Sequence, residues 1–410
     1  MIDEPLLTGL GARLARRVTK GERQRARLHL LDWLACVAGA RGTEAAALGA
    51  SISFNGWERA TYCGNVLEMD DVHRTALLHP GPVVWPAALS MASAGMDARL
   101  DAAVRGYEAM IAIGAACDAH HYARWHPTAT MGGFGAAAAF GSLIGFAEVE
   151  YAHALANAGS VAGGLWQMRH APGVLTKQWH IHHAVRTGRD AALHVHYGAT
   201  GPLELLEGPQ GLFAAMTETP GRLGGGGEGW LIHEVSFKPF AACRHAHPVI
   251  DAALELRAAG KLVPPFHVAT YADALTFCDR PDPQTELEAK FSLQHAVAVV
   301  ADGRRADPED FIPEAIAALA PLRAQVSVAE DPAITARYPA HFGARVNGLE
   351  LVDTRGDPER PVSAEDIVAK MHSLTRWGGL AAGEAERAVR LALEGDDGAA
   401  IDAMLEEWIR

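Results

Sequence analysis

Apolar residues recur three or four positions apart through most of the first half of the chain. Leu6, Leu10 and Leu14 show this spacing first, and it is typical of a helix with one buried face. The next such run closes at Gly39, a residue type that commonly ends helices. The pattern predicts helices over 4–18 and 22–39, one or two short helices over 44–68, helical structure over 83–117, and another helix over 151–170.

The pattern changes after four consecutive glycines, Gly224 to Gly227, which we interpret as a flexible boundary. Beyond them, segments such as FHVATYADALTF and QVSVAED carry the β-branched and aromatic residues of strands. Helical spacing returns near the C-terminus. We therefore predict a helical domain over 1–230, an α+β domain over 231–360, and C-terminal helices over 361–410 that return to the helical domain.

Three local sequence patterns refine the secondary structure predicted for the second half of the chain. The segment EVSFKPFAACRHAHPVIDAALEL predicts a strand, a polar turn and a helix. In SAEDIVAKM, the serine precedes an aspartate at the third helical position, which predicts a capping box. The tail from Ala381 to Arg410 has the spacing of amphipathic helix.

Composition narrows the functional classes. The 410 residues include 36 basic and 49 acidic side chains, a formal net charge of -13, which argues against a general binder of nucleic acid or anionic membrane. A local basic pocket for an anionic substrate stays compatible with this charge. The five cysteines are scattered without a CxxC pair, as expected for reduced thiols in the cytoplasm. We recognise no signal peptide before the first helix and no apolar run long enough to span a bilayer.

Candidate chemistry is densest between Asn65 and Met91. This stretch carries two histidines and three carboxylates just before a Pro- and Gly-containing entry to an apolar run: Glu68, Asp70, Asp71, His73 and His79. Such a cluster at the mouth of a buried helix suits proton transfer. The alternative is a polar loop that caps a helix, with its carboxylates in solvent.

Two other motifs allow more than one interpretation. Gly132, Gly133 and Gly135 open an Ala-rich helix that could present its N-terminus to an anion, but a tight helix–helix crossing is favoured. His180, His182 and His183 suggest a metal site. They lack an HExxH motif or a carboxylate at a helical offset, so no metal is expected.

Four groups of segments resemble the 2-methylcitrate dehydratase superfamily, the MmgE/PrpD family. They are LEMDDVHRTALLHPGPVVWPA; WHPTATMGGFGAAAAFGSLIG; TKQWHIHHAVRTGRDAAL with GATGPLELLEGPQGLF; and SFKPFAACRHAHPVIDA with EAKFSLQHAVAVVADG. Their order and spacing match over roughly residues 5–390. The resemblance implies a mainly α fold, with a large all-helical domain and a smaller inserted α+β lid domain, and an active site between them. It also implies a homodimer without metal or organic cofactor, and the scattered cysteines favour a cytoplasmic location.

The resemblance further implies chemistry on small di- and tricarboxylates. Family reactions include dehydration of 2-methylcitrate, decarboxylation of cis-aconitate and epimerisation of iminodisuccinate. We expect a lyase of the dehydratase type, with a decarboxylase or an epimerase as alternatives, and an inactive binding homologue as a third class. Retention of both histidines and both lysines assigned below argues against the inactive homologue.

The positions of this chain that match the family segments supply the residues of the candidate site. The catalytic candidates are His79, His126, Lys177 and Lys238. The substrate-binding candidates are Glu68, Asp71, Val72, Cys243, Arg244 and Phe277. Four of these depart from the family pattern, which usually has Asp at Glu68 and Thr at Val72; many decarboxylase relatives have His at Cys243 and Tyr at Phe277. These departures leave the identity of the substrate open.

Overall fold

The computed structural model describes residues 4–53, 55–171 and 173–410. Their contacts divide the chain into two compact units: the first comprises residues 1–66, 70–235 and 367–410, and the second comprises 67–69 and 236–366. The fold is mainly helical, with a small mixed sheet of four strands. The divisions fall at 235/236 and 366/367, where the sequence predicted 230/231 and 360/361.

The first unit is built from helices. Its N-terminal portion contains α1 Leu6–Leu14, α2 Lys20–Gly39, α3 Glu44–Ile52, α4 Gly56–Ala60, α5 Gly81–Leu89, α6 Met96–Gly114, α7 Ala119–Arg124, α8 Pro127–Leu143, α9 Glu148–Gly159, α10 Thr176–His196 and α11 Leu212–Met216. The prediction that the second helix ends at Gly39 is confirmed.

Helix α8 is the centre of this unit, and α5, α6, α9 and α10 pack around it. Its glycines and alanines allow those helices to approach closely. A Cβ on Gly132 would lie 2.7 Å from the Cβ of Ala184, and a Cβ on Gly188 would lie 2.4 Å from the Cβ of Ala136. Contacts this short leave no room for a side chain. The interpretation of the Gly-rich motif as a tight helix crossing is confirmed.

The second unit combines helices with the sheet. Its elements are α12 His247–Ala258, β1 Phe266–Thr270, α13 Ala272–Cys278, α14 Glu286–Lys290, α15 Leu293–Ala301, α16 Pro313–Ala318, α17 Ala320–Arg323, β2 Val326–Glu330, α18 Pro332–Thr335, β3 Ala344–Val346 and β4 Leu349–Leu351. The strand order is β2-β1-β3-β4; β1 pairs parallel with β2 and antiparallel with β3, and β3 pairs antiparallel with β4. Strand β1 alternates buried and more exposed residues, as a half-buried strand does.

The C-terminal helices are α19 Ala364–Trp377, α20 Glu384–Leu393 and α21 Gly398–Trp408. The capping box that opens α19 is confirmed: the amide of Ser363 donates to the Asp366 carboxylate at 3.0 Å, and the amide of Asp366 donates to the Ser363 hydroxyl at 3.2 Å. Lys370 of α19 forms a buried ion pair of 2.6 Å with Asp32 of α2, so residues 338 positions apart stabilise the same unit. Among the described residues, no helix has both the length and the apolar character needed to cross a membrane.

Three local predictions need correction. The strand predicted in EVSFKPF is absent, because Ser236 is held through its side chain by Asp357 and Pro239 has no N–H to offer a sheet. The tail from Ala381 is two helices, since Asp397 caps a new helix after the break. The four-glycine run lies inside the first unit, where the amide of Gly224 donates to the carbonyl of Ala112 at 2.8 Å.

The close crossing of α8 and α10 can be tested by replacing a glycine at the crossing and a glycine elsewhere. Gly188→Ala should destabilise the fold by about 1–3 kcal/mol, the usual cost of overpacking, because the new methyl would also meet the backbone of Ala137 and Gly133 at 2.5 and 2.6 Å. Gly9→Ala is the matched control: it is also helical, with no atom within 4 Å of its Cβ. That variant should be neutral or gain up to about 1 kcal/mol. Chemical denaturation measures both, and equal effects would contradict the close crossing.

Candidate active site

Asp71 organises the loop that carries the acidic and histidine cluster. Its buried carboxylate accepts hydrogen bonds from Nδ1 of His29 on α2 at 2.8 Å and from the hydroxyl of Tyr107 on α6 at 2.5 Å. The amide of Gly81, the first residue of α5, donates to the other carboxylate oxygen at 2.8 Å. The sequence assigned Asp71 to substrate binding, but a carboxylate already engaged by three protein donors has the geometry of a positioning residue.

The groups around Asp71 keep defined protonation states. Burial lowers the pKa of His29 to about 4, with the charge of Arg25 adding to the effect and the hydrogen bond to Asp71 opposing it. His29 is therefore neutral at pH 7 and donates its Nδ1 proton to Asp71. Burial, followed by the charge of Asp71, raises the pKa of Tyr107 well above its ordinary value, so its hydroxyl keeps its proton. Both partners are thus fixed as donors.

His79 is held at three points. Its amide donates to the hydroxyl of Thr128 at 3.0 Å, and its Nδ1 lies 2.9 Å from the carbonyl oxygen of Asp71 and 2.9 Å from a carboxylate oxygen of Asp70. Since both neighbours of Nδ1 accept, that nitrogen carries the hydrogen. Within the described part of the chain, no protein group hydrogen-bonds to Nε2. Nε2 is consequently the nitrogen that can take up a proton.

His126 is the second buried histidine of this cluster. It immediately precedes α8; its amide donates to the carbonyl of Gly164 at 2.8 Å, and its Nδ1 lies 3.2 Å from Nδ1 of His180. Burial lowers the pKa of His126 well below its ordinary value, and the charges of Lys177, His180 and His79 lower it further. The ring is therefore neutral at pH 7.

Gly164 makes this arrangement possible. Its φ is +114°, which L side chains rarely adopt, and a Cβ there would lie 2.4 Å from the Cβ of Ala129. Lys177 and His180 lie three residues apart in the first turns of α10, on one helix face. Lys177 is half-buried, and its charge acts on His126. The first unit thus brings His79, His126 and Lys177 into one electrostatically coupled cluster.

A second cluster lies in the second unit. The ammonium of Lys238, which is fully buried, lies 3.8 Å from the carboxylate of Glu68. Glu68 has a φ of 59°, a left-handed conformation that costs a non-glycine residue about 1–2 kcal/mol. Residues in such strained conformations concentrate at functional sites, so the conformation of Glu68 is consistent with a functional position. The charges of Glu68 and Lys238 both act on the thiol of Cys243.

Arg244 and Phe277 complete the second cluster. One guanidinium nitrogen of Arg244, Nη2, donates to the buried carboxylate of Asp357, and the guanidinium lies over the ring of Phe342. Its Nε and Nη1 are buried and have no hydrogen-bond partner among the described residues. Phe277 stacks on His245 with the ring centroids 4.9 Å apart. Val72, by contrast, is a buried apolar residue of the first unit.

Comparison with known proteins identifies the family. Residues 59–222 match the MmgE/PrpD N-terminal domain, and residues 240–394 match the MmgE/PrpD C-terminal domain. The chain belongs to the MmgE/PrpD family. Curated relatives include the cis-aconitate decarboxylases of Homo sapiens, 32% identical over 192 residues, and Mus musculus, 31% identical over 195 residues. Each match covers 44% of this chain and 39% of the relative, so the similarity spans under half the length of these relatives.

Some residues of the two clusters were not assigned a role in the site from the sequence. Asp70 was part of the cluster but had no role, and His180 was considered only as a metal ligand. His29 had a signal that was not used: it and Asp32 are the polar residues among the apolar residues of the buried part of α2. No group of three or more His, Cys, Asp or Glu side chains among the described residues could hold a metal ion.

Tyr107 tests the role of the Asp71 network. Tyr107→Phe should destabilise the protein by roughly 1–3 kcal/mol, because it removes a buried donor to Asp71 and the acceptor for the indole N–H of Trp85. It should also lower turnover, since the loop that holds His79 loses a support. Tyr197→Phe, at a residue that is 84% exposed, is the control and should change neither. A Tyr107→Phe variant with the stability of the control would contradict this role.

Lys177 makes a prediction that needs no activity assay. Because the charge of Lys177 contributes to the lowered pKa of His126, Lys177→Ala should raise that pKa, and Lys177→Glu should raise it more. Lys261→Ala removes an exposed lysine of the second unit and is the control. Histidine titration by NMR measures the effect. An unchanged His126 titration in both Lys177 variants would remove Lys177 from the cluster.

Proposed function

We propose that this chain is a cofactor-independent lyase that acts on a small di- or tricarboxylic acid by proton abstraction next to a carboxylate, with dehydration as its leading reaction. The observation that carries the proposal is the pair formed by His79 and Asp70. The family membership and the named activity of the decarboxylase relatives support a lyase of this kind.

His79 has the geometry of the general base. A carboxylate at 2.9 Å from Nδ1 stabilises the imidazolium that forms when Nε2 takes a proton. The hydrogen bond from Nδ1 to the carbonyl oxygen of Asp71 fixes the tautomer and the ring orientation. Asp70 is itself buried, so solvent screens its carboxylate poorly. Proton abstraction from carbon needs such a prepared acceptor, because a carbon acid next to a carboxylate is weak.

His126 and Lys177 suit the second proton transfer of the reaction, in which the departing hydroxyl group is protonated. An arriving carboxylate would pair with Lys177 and offset the charge that now disfavours protonation of His126. Substrate binding would therefore raise the pKa of His126 and allow it to donate a proton to the departing hydroxyl group. In this assignment His79 is the base and His126 is the acid, a choice that the sequence had left open.

The second cluster suits recognition of a carboxylate. Nε and Nη1 of Arg244 are buried donors without a hydrogen-bond partner among the described residues, and a carboxylate would satisfy such donors. Asp357 holds the guanidinium in place through Nη2. Lys238, Glu68, Cys243 and Phe277 would then set which acid is accepted.

Decarboxylation is the second candidate, because both named relatives are cis-aconitate decarboxylases. It requires loss of CO2 and protonation of carbon, and no hydroxyl leaving group. The family resemblance also leaves epimerisation as an alternative reaction. An epimerase would remove a proton from the substrate and return it without a leaving group.

One experiment separates these reactions. The protein is incubated in D2O with 2-methylcitrate, citrate, cis-aconitate and related acids, and the mixture is followed by proton NMR. Dehydration gives a new alkene, decarboxylation gives a product one carbon shorter, and epimerisation gives deuterium incorporation at the stereocentre. If no acid in a broad panel reacts but several raise the melting temperature, the chain binds carboxylates without turnover and the lyase proposal fails.

The proton-transfer roles make a prediction for the active acid. His79→Ala and His126→Ala should each lower turnover by roughly 100-fold or more, the usual contribution of general acid–base catalysis. His194→Ala, which removes an exposed histidine of α10, should leave turnover unchanged. Circular dichroism should show a retained fold in all three. Near-normal turnover in both the His79 and the His126 variant would overturn the assignment.

A further inference from the structure

His180 joins a buried histidine of the first unit to a cavity. Its Nδ1 lies 3.2 Å from Nδ1 of His126, and the two ring centroids are 5.4 Å apart. His126 is 2% exposed, whereas His180 is half-buried and lines a cavity of about 590 Å³. The function proposed above makes His126 the general acid and gives His180 no part in the reaction.

The cavity lies within the first unit and is open to solvent. Its wall includes residues of α8, of α10 and of the segment between α9 and α10. His183, which is exposed, lies one helical turn after His180 on the same face of α10 and also lines the cavity. His126 is not among the described residues of the wall. Water in the cavity can therefore reach the ring of His180, which in turn contacts His126.

Gly164 brings the two histidines together. Its carbonyl accepts the amide of His126 at 2.8 Å, and a Cβ at Gly164 would lie 3.6 Å from Nδ1 of His180. The ring of Trp166, two residues later, packs against the ring of His126 with the centroids 4.7 Å apart. The segment that follows α9 thus positions both rings for the contact between their Nδ1 atoms.

The contact between the two Nδ1 atoms places one hydrogen between them. Burial lowers the pKa of His126 and of His180, so both rings are neutral at pH 7, and one Nδ1 donates while the other accepts. A neutral His126 can act as a general acid from Nε2 only if its hydrogen is on that nitrogen. Its Nδ1 is then the acceptor, and His180 donates from Nδ1. Nε2 of His180 is left as an acceptor, and no described residue hydrogen-bonds to it.

We propose that His180 is a proton relay between the cavity and His126, an inference that rests on the lyase function proposed above. During dehydration, the C–O bond breaks and its electron pair stays with the hydroxyl group, which leaves as water with the Nε2 proton of His126. Nδ1 of His126 takes the Nδ1 proton of His180, and Nε2 of His180 takes a proton from water in the cavity. Both rings are neutral after the step, as they were before it.

The cycle closes without a net gain or loss of protons. His79 releases to solvent the proton that it took from carbon, where the C–H electron pair has formed the alkene. Nε2 of His126 takes a proton from water that enters after the product leaves, and the reverse shift through His180 returns one proton to the cavity. Such a relay leaves no charged imidazole at a buried position, where ionisation is costly.

The first test needs no substrate. In the full-length protein labelled with nitrogen-15, NMR of the histidine rings should show the hydrogen of His126 on Nε2 and that of His180 on Nδ1. His180→Asn is the matched variant, because its side-chain amide can donate to His126 from nearly the position of Nδ1 but cannot pass a proton on. His126 should keep its tautomer in this variant. A hydrogen on Nδ1 of His126 in the wild-type protein overturns the proposal.

The second test uses the carboxylic acid that the protein converts. His180→Asn should lower kcat by roughly 100-fold, the lower end of a general acid–base contribution, and leave KM unchanged. In His180→Ala, which enlarges the cavity, added imidazole should raise the reduced kcat by roughly tenfold or more, because it can replace the missing ring. His194→Asn, at an exposed histidine of α10, is the control and should change neither constant.

The outcomes separate the relay from the lyase function. A wild-type kcat in His180→Asn, with turnover still lost in the His79 and His126 variants, overturns the relay alone. A loss of kcat in His180→Ala that imidazole does not restore is a structural effect and also overturns the relay. If the wild-type protein converts no carboxylic acid, the proposed function fails and the relay fails with it.

Discussion

The carboxylate of Asp71 accepts hydrogen bonds from α2, α6 and the first residue of α5, and the loop that carries His79 depends on it. An ionised group that is almost fully buried is costly unless several donors satisfy it. Here His29, Tyr107 and Gly81 provide those donors. A Cβ on Gly81 would lie 2.6 Å from the carboxylate, so even the glycine at this position serves the contact. The network thereby fixes the backbone on both sides of His79.

The first unit also contains buried charged side chains that are compensated by partners of opposite charge. Asp32 and Lys370 form a buried pair near the acidic cluster, and burial raises the pKa of Asp32 to about 6 while Lys370 opposes that rise. Burial would lower the pKa of Lys370, but the charges of Asp32, Cys36 and Asp70 raise it. The ammonium is thus retained beside Asp70, and Asp70 can remain available as the carboxylate partner of His79. A structural ion pair and the contact between His79 and Asp70 share one electrostatic environment.

The two candidate clusters differ in the chemistry that they suit. The first unit holds the paired histidine and the neutral histidine, which together can move a proton. The second unit holds Arg244 and Lys238, whose fixed positive charges suit a carboxylate.

Much of this protein was determined by local sequence. Helical spacing predicted most helices of the first unit, the end of α2 at Gly39, and the tight crossing at the Gly-rich motif, because these depend on the period of apolar residues and on the size of side chains. The helix predicted over 151–170 instead ends at Gly159. The segments around His79 and His126 predicted the family, and Ser363 with Asp366 predicted a cap. Tertiary structure alone decided the pairings of Asp71 with His29 and Tyr107 and of Asp32 with Lys370, which join residues far apart in the chain. It also decided that residues 236–239 form no strand and that the four glycines pack within a unit. No periodicity encodes such contacts, since hydrogen bonds and ion pairs between distant residues are chosen only when the helices have packed.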